Sequence, residues 1–231
     1  MRQIILDTET TGIDPKQGHR IIEIGCVELI DRKLTHQHYH QYIQPEREVE
    51  AEAMEVHGIT NEFLIDKPKF AEIVEAFMQF VQGAELIIHN APFDVGFINH
   101  ELSLLKNNVW GRIEDHCKIT DTLKMARATY PGQRNSLDAL CKRLGVDNSG
   151  RTLHGALLDS EILADVYLMM TGGQVSLKLA HENANGGSSL KRKTRDQRGA
   201  LKVIEPTAEE LSAHQAYLEN LFKGQENPTY W

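Results

Sequence analysis

The stretch IILDTETTG, Ile4 to Gly12, begins as an apolar run and ends by delivering two carboxylates, Asp7 and Glu9, with Thr8 between them. A run rich in Ile predicts a strand. In a strand alternate side chains share a face, so Asp7 and Glu9 point the same way. Burying even one carboxylate is costly. With 33 Asp and Glu in 231 residues, a D-x-E pair arises by chance at roughly one site in fifty. Its meaning therefore comes from its setting, the end of an otherwise apolar strand. Convergent oxygen ligands there suit a hard divalent cation, Mg²⁺ or Mn²⁺.

Working outward, Gln3 to Thr8, Arg20 to Ile30 and Leu34 to Ile43 read as three strands, with Asp31-Arg32-Lys33 as a hairpin turn. Phe70, Ile73, Val74, Phe77, Met78 and Val81 form a helical stripe over 70–81. Glu85 to His89 predicts a buried strand and about Pro92 to Lys106 a helix, with Pro92 in the favoured first turn. A further strand over 116–121, helices over 123–128 and 137–144, and a long helical segment after His154 that ends at Gly172-Gly173 complete the pattern. The fold class is α/β: a mixed sheet of three antiparallel strands and then parallel strands, flanked by helices. Residues 1–173 make one domain. The composition of residues 180–200, with ANGGSS followed by KRKTRDQR, predicts a flexible linker. Residues 201–231 regain Leu211, Tyr217, Leu218, Leu221 and Phe222, as an anchor for a partner or as a helix that packs back.

Three cysteines without C-x-x-C spacing suggest neither a disulfide framework nor a cysteine zinc site. With no export signal and no run of 18 apolar residues, the expected location is the cytoplasm, without membrane attachment. Net charge is −8. Up to Gly173 there are 17 Lys and Arg against 26 Asp and Glu, a balance of −9, and the remainder carries +1. A domain this acidic does not hold nucleic acid by phosphate neutralisation alone, so metals or partners must assist.

Two further acids sit at similar junctions. Asp94, in HNAPFD, lies at a helix entry where an anion is favoured, and taken alone it reads equally as an ordinary first-turn Asp. Asp159, in HGALLD, follows His154 by five residues, which on one continuous helix is a rotation of about 140°. Either His154 belongs to the loop before the helix or the two residues do different jobs.

Taken together and in order, LDTETTG, IIEIG, HNAPFD and HGALLD resemble the motifs of the DEDDh, or DnaQ-like, 3′-5′ exonucleases over about residues 1–172. VHGITNEF, NSLDALCKRLGVDNS and RTLHGALLDSEILADVYLMMTGGQ are similar to the proofreading branch of that family. The resemblance implies a ribonuclease H-like sheet, two divalent metals (Mg²⁺ or Mn²⁺) on Asp7, Glu9, Asp94 and Asp159, and His154 as general base. It further implies nucleotide contacts at Glu52 and His57, with Thr10, Thr11 and Gly12 letting the backbone approach the 3′ nucleotide and Asn90 and Phe93 beside the metals. The chemistry agrees. Two metals stabilise charge on a phosphodiester and acidify water, and an imidazole, with an ordinary pKa of about 6.5, accepts a proton near neutrality.

QVSLKL, Gln174 to Leu179, resembles a sliding-clamp-binding motif, with Gln174, Leu177 and Leu179 as the pocket contacts. The implied partners are DNA 3′ ends, the catalytic (alpha) subunit of a bacterial replicative polymerase, its beta sliding clamp and a small theta-type subunit. Tethering raises the effective concentration of a weakly gripping domain. A DEDDh ribonuclease trimming RNA 3′ ends and a scaffold joining clamp to polymerase are the competing readings.

Overall fold

The computed structural model describes residues 1–151, 153–172 and 206–221. The clamp-type motif at Gln174, Leu177 and Leu179 and the linker at 180–200 lie outside the described residues. Five strands form one sheet: β1 (Arg2–Thr10), β2 (Ile21–Ile30), β3 (Lys33–Tyr42), β4 (Glu85–Ile88) and β5 (Lys118–Asp121). Their order is β3-β2-β1-β4-β5. β1 runs antiparallel to β2 and parallel to β4, so it is where the hairpin half of the sheet meets the parallel half. The hairpin turn places Asp31 and Arg32 at φ 49° and 67°, the left-handed pair that a two-residue turn between twisted strands requires.

Alternation along β1 sorts the two layers. Ile4 and Leu6 pack with α3 (Phe70–Val81) and α4 (Ala91–Ser103), through Phe77, Met78 and Phe97. Ile5 packs with Leu163, Ala164 and Tyr167 of α7 (Ala156–Gly172) on the other side. Phe70, Phe77 and Phe97 are fully buried; a side chain of this size contributes about 1.5–3 kcal/mol on burial. α5 (Thr122–Thr129) and α6 (Leu137–Leu144) add Ala126, Leu140 and Cys141 against the outer side of α7.

α7 is fixed at both ends. At its start the Ala156 amide donates to Glu23 Oε2 at 3.1 Å, and Ser160 Oγ donates to the Gly25 carbonyl at 2.9 Å. Gly25 is obligatory there, since a Cβ would stand 2.2 Å from the Ala156 and Leu157 backbone. At its end Arg32 donates to Thr171 Oγ1 at 2.6 Å and the Leu168 carbonyl at 2.9 Å, a cation where helix carbonyls lack partners.

Two short helices, α1 (Ala51–His57) and α2 (Asn61–Leu64), occupy the acidic stretch before α3, which has no helical apolar stripe. They are held by a small cluster of Ile22, Val49, Ile59 and Leu64. Residues 178–231 form a separate unit, of which α8 (Ala208–Leu221) is the described helix. Leu211 and Tyr217 on it are exposed. No helix among the described residues is long and apolar enough to cross a membrane.

Candidate active site

The triplet Asp7-Thr8-Glu9 straddles the sheet. Asp7 and Glu9 share the α7 face with Ile5, while Thr8 faces α4 and donates from Oγ1 to Asp94 Oδ1 at 2.7 Å. Strand alternation thus makes Thr8 the tie that holds Asp94 beside the two strand carboxylates. Asn90 enters α4 at φ 68°, a left-handed conformation that Asn tolerates, with its amide donating to Asp121 Oδ1 at 3.2 Å. This sharp turn between β4 and α4 brings Asp94 back over the strand ends.

Asp159 lies in the first turn of α7. His154 belongs to the loop before that helix, which resolves the angular conflict between them: its Nδ1 stands 3.4 Å from Asp159 Oδ2. The loop is anchored by the His154 amide, which donates to the Val56 carbonyl of α1 at 3.1 Å. Glu9, His154 and Asp159 each offer a ligand atom, all within 4.8 Å of one another. Arg151 stands against them. Its Nε and Nη2 donate to the two Asp159 oxygens at 2.5 and 2.6 Å, Nη1 donates to Asp138 at 2.8 Å, and Nη2 also reaches His154 Nδ1 at 2.8 Å. A guanidinium only donates, so His154 Nδ1 is the acceptor in this arrangement.

The electrostatics are those of an incompletely compensated anion cluster. Burial, followed by Asp94, Glu9 and Asp159, holds the Asp7 carboxyl well above the usual carboxylate range. Burial and then Asp159, Glu23 and Asp94 push Glu9 up to about 8. Asp94 is pushed up to about 7, mainly by burial, against the opposing hydrogen bond from Thr8. Arg151 lowers Asp7 and Glu9, but by less than burial or any of those neighbouring carboxylates raises them. Hard oxygen donors crowded until they resist ionisation fit a divalent cation.

These groups lie on a cleft of about 640 Å³. Asp7, Glu9, Asn90, Phe93, Asp94, His154 and Asp159 all line it, so seven of the residues singled out in the sequence are brought together. Thr10, Thr11, Gly12, Glu52 and His57 are not among its lining. Glu52 is an exposed residue of α1. His57 is buried, and its Nδ1 accepts from the Ile59 amide at 3.0 Å. At Gly12 the place of a Cβ is filled by the His19 imidazole, whose ring atoms would lie 2.3 to 2.7 Å away. That ring meets Thr11 Oγ1 at 3.1 Å and Glu50 at 3.2 Å, so the glycine serves a strut between β1 and the start of α1. The sequence pattern alone does not single out Arg151, Thr8 or Glu23 as members of the site. For Arg151 the available signal was a lone cation three residues before the His of HGALLD.

The model of the Exonuclease family matches residues 4–167. The DNA polymerase III subunit epsilon of Haemophilus influenzae is 51% identical over 243 residues, spanning 100% of this chain and 94% of that protein. The same-named Escherichia coli subunit is 52% identical over 226 residues, spanning 94% and 92%. The chain belongs to the DNA polymerase III epsilon-subunit family. It is therefore a nuclease of the exonuclease class. Among solved structures, Exonuclease X in complex with 5′ overhanging duplex DNA matches with TM-score 0.57 and 26% identity over 74% of this chain and 91% of its own. The nuclease domain of 3′hExo, a DEDDh family member bound to rAMP, shares the fold at TM-score 0.62 and 22% identity, over 73% and 90%. In the epsilon-family chain the carboxylates thus come from β1, α4 and α7, three elements distant in sequence and adjacent in space.

Proposed function

We propose that this epsilon-family chain removes misincorporated nucleotides from DNA 3′ ends by hydrolysing the terminal phosphodiester, as the proofreading subunit of the replicative polymerase. The observation that carries the reading is the set of four carboxylates and one imidazole converging on a single cleft, with three of the carboxyls driven upward by burial and crowding. Asp7, Glu9, Asp94 and Asp159 would hold two divalent cations, Mg²⁺ or Mn²⁺. Such cations, when bound, supply charge stabilisation at the phosphate and lower the pKa of water. Thr8 keeps Asp94 aimed at the site, and Glu23 and Gly25 hold α7 so that Asp159 faces β1.

His154 takes the proton of the attacking water. With Nδ1 accepting from Arg151, the imidazole proton rests on Nε2. When that contact is replaced by one donated from Nδ1 to Asp159 Oδ2, 3.4 Å away, the Nε2 proton is released to solvent and one is taken up from solvent at Nδ1, which frees the Nε2 lone pair for water. Glu52, His57, Thr10, Thr11, Gly12 and Asn90 are proposed to contact or border the terminal nucleotide. α1, which bears Glu52 and His57, is bonded to the His154 loop. Gln174, Leu177 and Leu179 would dock on the beta clamp, and residues 201–231 on the alpha subunit through the linker at 180–200. A theta-type subunit completes the proposed assembly. Two-point tethering accounts for an acidic nuclease working at a primer end.

The test is release of the 3′ nucleotide from matched and mismatched primer-templates and from single-stranded RNA with Mg²⁺. Mismatched DNA ends are expected to be trimmed faster, and Asp7→Ala and His154→Ala to lose roughly 10³-fold, several kcal/mol of transition-state stabilisation. Preference for RNA would replace the reading with a ribonuclease, and inactivity on every substrate with a scaffold.

A further inference from the structure

The charge of the folded domain is divided. Residues 118–151, covering β5, α5 and α6, hold seven Lys and Arg against three Asp, a balance of +4. The rest of residues 1–173 holds ten against 23, or −13. This basic segment borders the cleft. Ser136 and Asp138 line both the cleft and a second groove of about 480 Å³, whose other walls include Arg134, Lys142 and Arg143. Arg127 lines the cleft itself on the same side.

The cations of this face are of two kinds. Arg143 is committed to structure: it stacks over Tyr130 at 4.5 Å and donates to Asn135 Oδ1 at 3.1 Å and the Arg134 carbonyl at 2.8 Å. It thereby holds the loop between α5 and α6. Arg127, Arg134 and Lys142 are exposed, and none forms an ion pair among the described residues. In a domain with an excess of carboxylates, leaving three cations without ion pairs beside the cleft runs against ordinary surface pairing.

We propose that the groove along α6 is the track for the nucleic-acid strand leading to the cleft, with Arg134 and Lys142 on phosphates upstream of the scissile one and Arg127 at the cleft mouth. The inference rests on the nuclease reading above and names the face by which its substrate enters. The occupant is a single strand. Its backbone carries one phosphate per nucleotide, and an electrostatic groove that contacts phosphates alone accepts any base sequence. Such a track reconciles weak overall affinity with a defined polarity. The floor of the site repels phosphate until cations are bound, and the lip attracts it.

The experiment uses the full-length chain and the double substitution Arg134→Ala/Lys142→Ala. Both side chains are exposed, and circular dichroism checks the fold. Two substrates are compared with Mn²⁺ present: a single-stranded deoxyoligonucleotide of about a dozen residues, and a p-nitrophenyl ester of one nucleoside 5′-monophosphate, which has no upstream phosphate. The expected result is a KM for the oligonucleotide raised roughly tenfold at nearly constant kcat. The salt dependence of log KM should become shallower by about 1 to 2. The ratio of oligonucleotide to ester efficiency should fall by the same factor as the oligonucleotide KM rises. An unchanged oligonucleotide KM and salt slope would overturn the track, as would an equal loss on both substrates. Failure of the wild type to hydrolyse either substrate would instead overturn the nuclease reading on which it rests.

Discussion

Two guanidinium–carboxylate pairs in this protein have the same chemistry and opposite surroundings. Arg20 and Glu101 meet through two bonds of 2.8 and 2.6 Å, and Arg151 and Asp159 through two of 2.5 and 2.6 Å. Both carboxylates are buried. Glu101 is also capped by the Ile21 amide at 3.1 Å, and Arg20 also donates to the Pro45 carbonyl at 3.3 Å, so that every strong demand in that joint between β2 and α4 is met. Arg151 divides one charge among Asp159, Asp138 and the His154 ring, and compensates Asp7 and Glu9 only weakly. The first pair is a strut. The second is undersupplied, one protein cation shared among two carboxylates and an imidazole.

The largest test of this contrast is Arg20→Ala. It strands a buried carboxylate and should cost about 3–5 kcal/mol, read as a fall in the denaturation midpoint. Activity per folded molecule should be nearly unchanged.

Next comes pH. Asp94 at about 7 and Glu9 at about 8 lie above their ordinary values of 3.8 and 4.5, so the folded state binds more protons than the unfolded one between these limits. Stability of the metal-free protein therefore falls as pH rises from about 4 to about 8. Calorimetry in EDTA should show Tm lower by several degrees at pH 8.5 than at pH 6. Saturating Mg²⁺ should flatten the profile, and a flat profile in EDTA would mean that the carboxylates are compensated from within.

A smaller effect is expected at Gly25→Ala, where the new methyl group would meet the backbone of α7. Overpacking of this kind costs about 1–3 kcal/mol. Because the displaced helix carries Asp159 but not Glu101, nuclease activity should fall more than stability does. The smallest is Arg151→Gln. Removing an internal competitor should tighten Mn²⁺ binding about fivefold by titration calorimetry and lower the Tm of the apo form by a few degrees. Weaker Mn²⁺ binding would make Arg151 a second strut, and the contrast would collapse.

How much of this was legible in the sequence depended on whether the signal was periodic. The stripe at Phe70 to Val81 gave a helix with the observed ends, and two Ile- and Val-rich runs with a third, less cleanly alternating one gave the three antiparallel strands to within a residue or two. α1 escaped because EREVEAEAMEVHG carries charge on every face and Glu50 caps it with no side-chain bond, and α2 because it is only 4 residues long. Tertiary packing of Val49, Ile59 and Leu64 decides those turns. In the site, the D-x-E spacing identified the shared face of Asp7 and Glu9 but treated Thr8 as a spacer. Its tie to Asp94 spans 86 residues, and nothing local announces it. At Gly12 the resemblance pointed to close approach of a nucleotide, whereas the neighbour that leaves no room for a Cβ, His19, became evident only in three dimensions.

The seating of α7 on Gly25 also bears on the protein's biosynthesis. Asp7 and Glu9 are made well before Asp159, which arrives on α7 and is positioned only when that helix lies backbone to backbone against β2. Domains form from the N-terminus as the ribosome releases them. A nascent chain therefore carries an unfinished set of carboxylates until about residue 172 has emerged, and N-terminal fragments left by premature termination should be harmless to the cell's DNA.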